Sequence, residues 1–323
     1  MQIPIEIAGI TLMKIAVTGA TGFVGRELLT RLQQAGHKVV PIVRRKTGFS
    51  NEVIAGGLET ADISALADGM HGVDAIAHLA ALTHVRGHPA NAQQAFQRVN
   101  VQGTQRLLHA AAAAGIKRVV YMSSIKVNGE ETCFDHRFSG HDTPAPEDDY
   151  GRTKYDAELL IANEAVGAGI QTVILRPPMV YGSGVAGNFG RLVSAIQRGI
   201  PLPFRLVNNR RSLISVCNLA DATICALTRA DAAGMVLTVS DGEDFSTPAL
   251  VEAIGFAVGR PARLIPVPVA ALKLAGQLLG RGDEIRRIVG NLQIDNEAAC
   301  VALGWTPQDH LQPALMRMLR PPK

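Results

Sequence analysis

The stretch "YGRTK", Tyr150 to Lys154, sets a phenol four positions before a primary amine in a chain that uses only 4 tyrosines. It directly follows a turn-like run, "DTPAPEDD". If a helix begins near Asp148 or Asp149, positions i and i+4 share a face and the two groups lie side by side. An ammonium beside a phenol stabilises phenolate and lowers the tyrosine pKa from about 10 toward the range of a working general acid or base. Taken alone, the pair is more simply a solvated helical turn, so the rest of the chain has to decide.

A second chemical signal sits near the start. "TGATGFVG" places Gly19, Gly22 and Gly25 between the strand-like "KIAVTGA" and the helical "RELLTRLQQAG". The first glycine permits a tight turn, the second lets backbone approach a pyrophosphate, and the third lets helix and strand pack closely. Helix amides then face the phosphates. An acid about 20 residues further on would bind the adenosine ribose hydroxyls of NAD. Here that place reads "VRRK", with Arg44, Arg45 and Lys46. Guanidinium groups grip a 2′-phosphate that a carboxylate would repel, which favours NADP(H) over a possible NAD(H). The plainer alternative is a set of exposed loop charges.

Such groups need a scaffold to hold them. Short apolar runs, "KVVPIVR", "DAIAHLAA", "KRVVYMSS" and "QTVILRP", alternate with long helical patterns over 93–114 and 149–167. That alternation predicts an α/β fold: a doubly wound parallel sheet of Rossmann type, covered on both faces. After Pro177 the texture turns to loops and short helices, which predicts a second, smaller substrate-binding lobe over the carboxyl ends of the strands. The expected division is a dinucleotide-binding domain over 13–178 with 212–242 returning to it, a lobe from 179–211 and 243–323, and an N-terminal extension over 1–12. Met1 and Met13 are alternative starts.

The composition excludes several classes. With 47% hydrophobic and 19% charged residues, the chain of 323 reads as globular. A net charge of +4 with no aromatic-interleaved basic run argues against nucleic acid as a partner. Cys133, Cys217, Cys225 and Cys300 make no metal-ligand spacing and read as buried thiols of a reducing compartment. No metal site is expected. No apolar run of about 18 residues predicts membrane insertion, and 264–280 reads as a packed helix rather than one lying on a membrane.

Taken together, "TGATGFVG", "HLAA", "MSS", "YGRTK" and "RPPMVYGSG" resemble the extended short-chain dehydrogenase/reductase family, in its nucleotide-sugar epimerase/dehydratase branch. The resemblance implies Tyr150 as general acid/base, Lys154 as holder of the nicotinamide ribose and depressor of the tyrosine pKa, and Ser124 as the hydroxyl orienting the reacting oxygen. Ser123 is the neighbouring candidate. Along the cofactor it implies Gly19, Ala20, Thr21, Gly22, Phe23, Val24 and Gly25, then Asp62 and Ile63 near the adenine. It adds Leu79, Ala80 and Ala81 beside the adenosine, Asn100 as a support, and Pro177 and Val180 around the nicotinamide. For the substrate it implies Thr83, Ser124, Asn188, Phe189 and Arg211, with Arg286 and Arg287 as further phosphate candidates. Asn128 departs from the family's common aromatic after the serine, and Ser212 and Leu213 replace the usual acid and aromatic pair after Arg211.

The resemblance, narrowed by "SSIKVNGE", "NNRRSLISV" and "GNLQID", implies a cytoplasmic enzyme of surface-polysaccharide synthesis acting on a nucleotide sugar. The expected reaction is NADPH-dependent 4-ketoreduction of a UDP-linked 6-deoxy-4-keto-N-acetylhexosamine. The alternatives are a UDP-hexose or UDP-N-acetylhexosamine 4-epimerase with retained NAD, and a non-catalytic NADP-binding sensor or scaffold. Small-ketone and hydroxysteroid substrates stay open, and a 4,6-dehydratase is disfavoured because Ile125 and Lys126, not acids, follow Ser124. The two long helices imply a homodimer.

Overall fold

The fold was analysed in a computed structural model, which describes residues 12–83, 92–185 and 187–320. Residues 1–11 of the expected extension lie outside the described residues.

Seven parallel strands form the main sheet in the order β3-β2-β1-β4-β5-β6-β9. They are β1 (Lys14–Thr18), β2 (Lys38–Val43), β3 (Val53–Ile54), β4 (Ala75–His78), β5 (Arg118–Met122), β6 (Gln171–Arg176) and β9 (Val236–Thr238). Every residue of β4 and β5 is buried, as expected of central strands covered on both faces. The strand order reverses between β1 and β4, and their carboxyl ends frame the crevice where ligands bind in such sheets.

Helices close the two faces by ordinary amphipathic spacing. Phe23–Gln34 buries Gly25, Leu28, Leu29 and Leu32, one stripe at helical period, against the same core as β1 and helix Val216–Thr228. On the opposite face Gly103–Ala113 and Asp149–Gly167 pack Leu107, Leu108, Ala157 and Ile161 over β5 and β6. Between the fifth and sixth strands, then, lies the predicted 149–167 helix with unchanged limits.

The smaller lobe has its own three-stranded sheet, in which β8 (Arg211–Ser215) runs parallel to β7 (Met179–Tyr181) and antiparallel to β10 (Asp244–Phe245). A separate core, including Tyr181, Phe189, Phe204, Val251 and Leu315, gathers helices Gly187–Gln197, Thr247–Val258 and Leu311–Leu319 around it.

Two expected boundaries are corrected. The 212–242 segment does not return to the main sheet as a whole: β8 pairs in the small sheet, although its Ile214 reaches the main core, while helix Val216–Thr228 packs on the large sheet and β9 joins it. Conversely, Ala299, Leu303 and Trp305, expected in the lobe, pack in the main core. The run Arg211–Ser215 gives no hint of which sheet edge the strand will meet, because pairing partners are set by distant residues.

Candidate active site

The glycine turn is built so that side chains cannot enter it. Gly19 has φ +68, and a Cβ there would stand 2.8 Å from the Ala80 amide nitrogen. A Cβ on Gly25 would stand 2.2 Å from the Gly19 carbonyl oxygen. Gly22 is the N-cap of helix Phe23–Gln34 and supplies no side-chain cap, so the opening amides are left to an outside acceptor. Ala20 is buried, Phe23 and Val24 are half-buried and Thr21 is exposed. This cradle fits the pyrophosphate of a dinucleotide.

The strands beside the turn are locked by a hydroxyl–imidazole chain that sequence reasoning missed. The Thr104 hydroxyl donates to the Asn100 carbonyl at 2.6 Å and so accepts from His78 Nε2 at 2.8 Å. His78 Nδ1 then accepts from the Thr18 hydroxyl at 2.7 Å, whose oxygen receives the Leu79 and Ala80 amides, both at 3.1 Å. Burial, then the charge of Lys154, pushes the imidazole pKa down to about 3, so the ring stays neutral. The only sequence signal was a histidine ending an otherwise apolar strand.

Ser124 and Tyr150 meet across the carboxyl end of β5. Ser124 lies just beyond that strand and caps the turn Ile125–Val127, while Tyr150 is the second residue of helix Asp149–Gly167. Ser124 stands close enough to the Tyr150 phenol to favour its ionised form. The Asp148 side chain caps the same helix, accepting from the Gly151 amide at 2.7 Å. Lys154 is 1% exposed, with its Nζ 4.2 Å above the centre of the Tyr121 ring. That is a cation–π contact.

The acidities differ from the expectation. Lys154 was expected to depress the Tyr150 pKa. Instead burial and then the Asp148 carboxylate hold the phenol above its usual range, opposed by the Ser124 hydroxyl. A phenolate is disfavoured in a water-poor site next to a negative charge. Lys154 itself is pushed down to about 7 by burial, with Glu158 acting in the other direction.

Behind these residues lies a buried ion pair. Arg176, at the end of β6, grips Glu158 through Nε at 3.0 Å and Nη2 at 2.5 Å. Its Nη1 donates to Asn128 Oδ1 at 3.0 Å, and Asn128 Nδ2 donates to the Ser139 carbonyl at 2.8 Å. The departure at Asn128 is therefore a structural partner of Arg176. Ser123 also donates its hydroxyl to Glu158, which turns that side chain into the supporting network rather than toward the cofactor crevice. Asn100, in a π-helical segment Gln97–Gln102, accepts the Leu82 amide at 2.7 Å and donates to Thr153 Oγ1 at 3.1 Å. It ties the loop after β4 to the Tyr150 helix.

Other expected residues fall as follows. Arg44 and Arg45 are exposed just past β2. Asp62 caps the helix that begins with Ile63, accepting from the Ala65 amide at 2.8 Å. Leu79 and Ala81 are half-buried, and Thr83 is exposed. Pro177 is buried, its carbonyl accepting the Ile125 amide at 3.0 Å, and Val180 is half-buried in β7. The side chain of Asn188 lies outside the described residues. Phe189 is corrected: it is 2% exposed and stacked on Tyr181 with ring centres 6.0 Å apart, so it belongs to the lobe core. Arg211 donates to the Gly290 carbonyl at 3.0 Å, and burial lowers its pKa to about 10.

Arg286 and Arg287 do not stand free for a phosphate. Arg286 pairs with Glu147 at 2.7 Å and Glu131 at 3.3 Å. Arg287 pairs with Glu130 at 3.1 Å and reaches Asp148 at 3.6 Å. Lys126 completes the cluster, bonding Glu130 at 2.8 Å and also Asp148. A lobe helix, Gly282–Val289, is thereby latched to the start of the Tyr150 helix.

The model of the NAD dependent epimerase/dehydratase family matches residues 15–239, which span the glycine turn, Ser124, Tyr150 and Lys154. The chain belongs to that family. Its members are NAD(P)-dependent oxidoreductases and epimerases, and this chain is such an enzyme. It is 37% identical over 303 residues to a UDP-glucose 4-epimerase of Vibrio cholerae, covering 92% of both chains. A ketoreductase of a farnesylated dihydroquinoline oxide from Stigmatella aurantiaca is 31% identical over 275 residues, 82% of this chain and 79% of the relative. Among solved structures, MoeE5 in complex with UDP-glucose and NAD superimposes with a TM-score of 0.75 at 28% identity, covering 95% and 97% of the two chains.

Proposed function

We propose that this epimerase/dehydratase family member is a UDP-sugar 4-epimerase that retains NAD. The observation that carries the reading is the 37% identity to the Vibrio cholerae UDP-glucose 4-epimerase over 92% of both chains. The expected 4-ketoreductase has less support. Its basis was the pair Arg44 and Arg45, exposed just past β2, whereas the solved relative carries NAD.

The glycine turn and its open helix amides would hold the pyrophosphate, and Lys154 would meet the nicotinamide ribose. When bound, the dinucleotide supplies hydride acceptance and return at one sugar carbon. The protein's part is proton handling at the oxygen of that carbon. Starting as phenolate, Tyr150 Oη would take the hydroxyl proton and become phenol as the carbonyl forms, and the phenol would give the proton back as the alcohol is restored. The Ser124 hydroxyl, beside the same phenol, would fix the oxygen's direction. Lys154, one turn on, would counter the phenolate charge from its buried place beside the Tyr121 ring. A closed, dry site strengthens each of these interactions. We place the enzyme in the cytoplasm, where UDP sugars are made, as a homodimer through helices 93–114 and 149–167.

The test is incubation of the purified protein with UDP-galactose and with UDP-N-acetylgalactosamine, no dinucleotide added. Conversion to the C4 epimer, with NAD(H) released on denaturation, is expected. Stoichiometric NADPH oxidation on a UDP-linked 4-keto sugar, with no epimerisation, would replace this reading with the reductase.

A further inference from the structure

We propose that the outer face of the smaller lobe docks on an anionic membrane surface. The inference goes beyond the reaction and holds whichever sugar is turned over. Two segments make this face, 198–206 and 260–281. They run side by side, with Leu202 bridged to Leu264, the Leu202 amide donating to the Arg263 carbonyl at 2.8 Å and the Ile265 amide to the Leu202 carbonyl at 2.9 Å. Leu202 and Phe204 turn inward to the lobe core, while Ile200, Leu206 and Ile265 are exposed.

The helix that follows, Val269–Leu278, is not packed all round as its sequence led one to expect, but held from one side. Leu272 and Gly276 are its buried positions, and Gly276 lies against Ile285. Leu274 is 59% exposed, Leu278 79% and the adjoining Leu279 74%. Leu274 and Leu278 are four apart, so they stand on one face of the helix. Clustered exposed leucines on a surface helix suit an interaction face.

Charge chooses the partner. The two segments carry Arg198, Arg205, Arg260, Arg263, Lys273 and Arg281, all exposed, and no Asp or Glu. The first acids, Asp283 and Glu284, open the next helix. Those six cations exceed the whole chain's net charge of +4, so the protein's basicity is concentrated here. Exposed leucines flanked by Lys and Arg suit a helix lying in the plane of a bilayer whose headgroups are acidic. A second copy of the chain would bring the same six cations into contact with themselves, which disfavours self-association through this face. No helix among the described residues is long and apolar enough to cross a membrane, so the contact is a surface one.

The experiment is co-sedimentation of the full-length protein with phosphatidylcholine vesicles, with and without phosphatidylglycerol, at low and high salt. Binding is expected only with phosphatidylglycerol, weakened by salt. The variants Leu274→Glu/Leu278→Glu and, separately, Lys273→Gln/Arg281→Gln should each reduce it by roughly tenfold or more. Dinucleotide binding and thermal midpoint are measured in parallel as controls of folding. Absence of binding to phosphatidylglycerol vesicles by the wild-type protein overturns the proposal. So does equal binding by both well-folded variants, or a lipid-free oligomer, seen by light scattering, that Leu274→Glu/Leu278→Glu dissociates.

Discussion

Tyr150 and Asp148 share the first turn of one helix, and burial followed by the Asp148 charge holds the Tyr150 phenol above the usual tyrosine range. That carboxylate is itself held below its ordinary value: against burial, the hydrogen bonds from Lys126 and the Gly151 amide and the charges of Lys126 and Arg287 keep it ionised. Acidity at the Tyr150 phenol is therefore set by residues from the β5 turn, the helix cap and the lobe.

Replacing Asp148 with Asn removes the nearest negative charge while keeping a capping side chain. The phenol should ionise more readily, moving the alkaline-side dependence of turnover to lower pH by about one unit. Lys126→Met removes the screen from Asp148 and should move it the other way. A pH–rate profile unchanged in both variants would show that Asp148 does not act on Tyr150.

Tyr150→Phe should lower turnover by about 10²–10⁴-fold with dinucleotide binding retained, and Ser124→Ala should lower it less. Binding titrated by fluorescence alongside rate separates the two effects. A sensor or scaffold without catalysis would keep its function in Tyr150→Phe.

Lys154→Met should abolish activity yet stabilise the fold. The folded pKa of about 7 lies below the ordinary 10.5, so the unfolded chain holds more protons between those values. The cost to stability is complete below about pH 7 and fades as pH rises toward 10.5. The variant should gain about 1–2 kcal/mol at pH 6 and little at pH 10, read by urea unfolding at both. A uniform loss across pH would mean that Lys154 contributes through the packing of its uncharged stem and not through the desolvation of its ammonium.

Glu158→Gln leaves Arg176 charged and buried at 3% exposure. Breaking one side of such a pair costs about 3–5 kcal/mol. The double replacement with Arg176→Met should recover part of that loss, since neither charge then remains unpaired. Additive losses in the double variant would rule out direct coupling.

Side-by-side titration of the stripped protein with NADH and NADPH tests the cofactor reading. The epimerase proposal expects NAD(H) to bind tighter and Arg44→Ala/Arg45→Ala to leave that affinity unchanged. A tenfold preference for NADPH, about 1.4 kcal/mol, lost in the variant, would restore the arginines as readers of a 2′-phosphate.

The residue order alone determined a good deal. Strand, glycine turn and helix in succession dictate a parallel sheet and a phosphate cradle, because each is a local consequence of periodicity and of glycine's missing Cβ. The spacing of Tyr150 and Lys154 on one helix is equally local. What the tertiary structure decided depends on contacts between distant residues. Phe189 stacked on Tyr181 within a lobe core that also draws on distant segments, and Ser123 turned to Glu158, 35 positions away. Likewise Arg287 met Glu130 across 157 positions, and the Tyr150 pKa rose where i, i+4 reasoning had it fall. Desolvation and through-space charge follow from the packed environment, which no local spacing encodes.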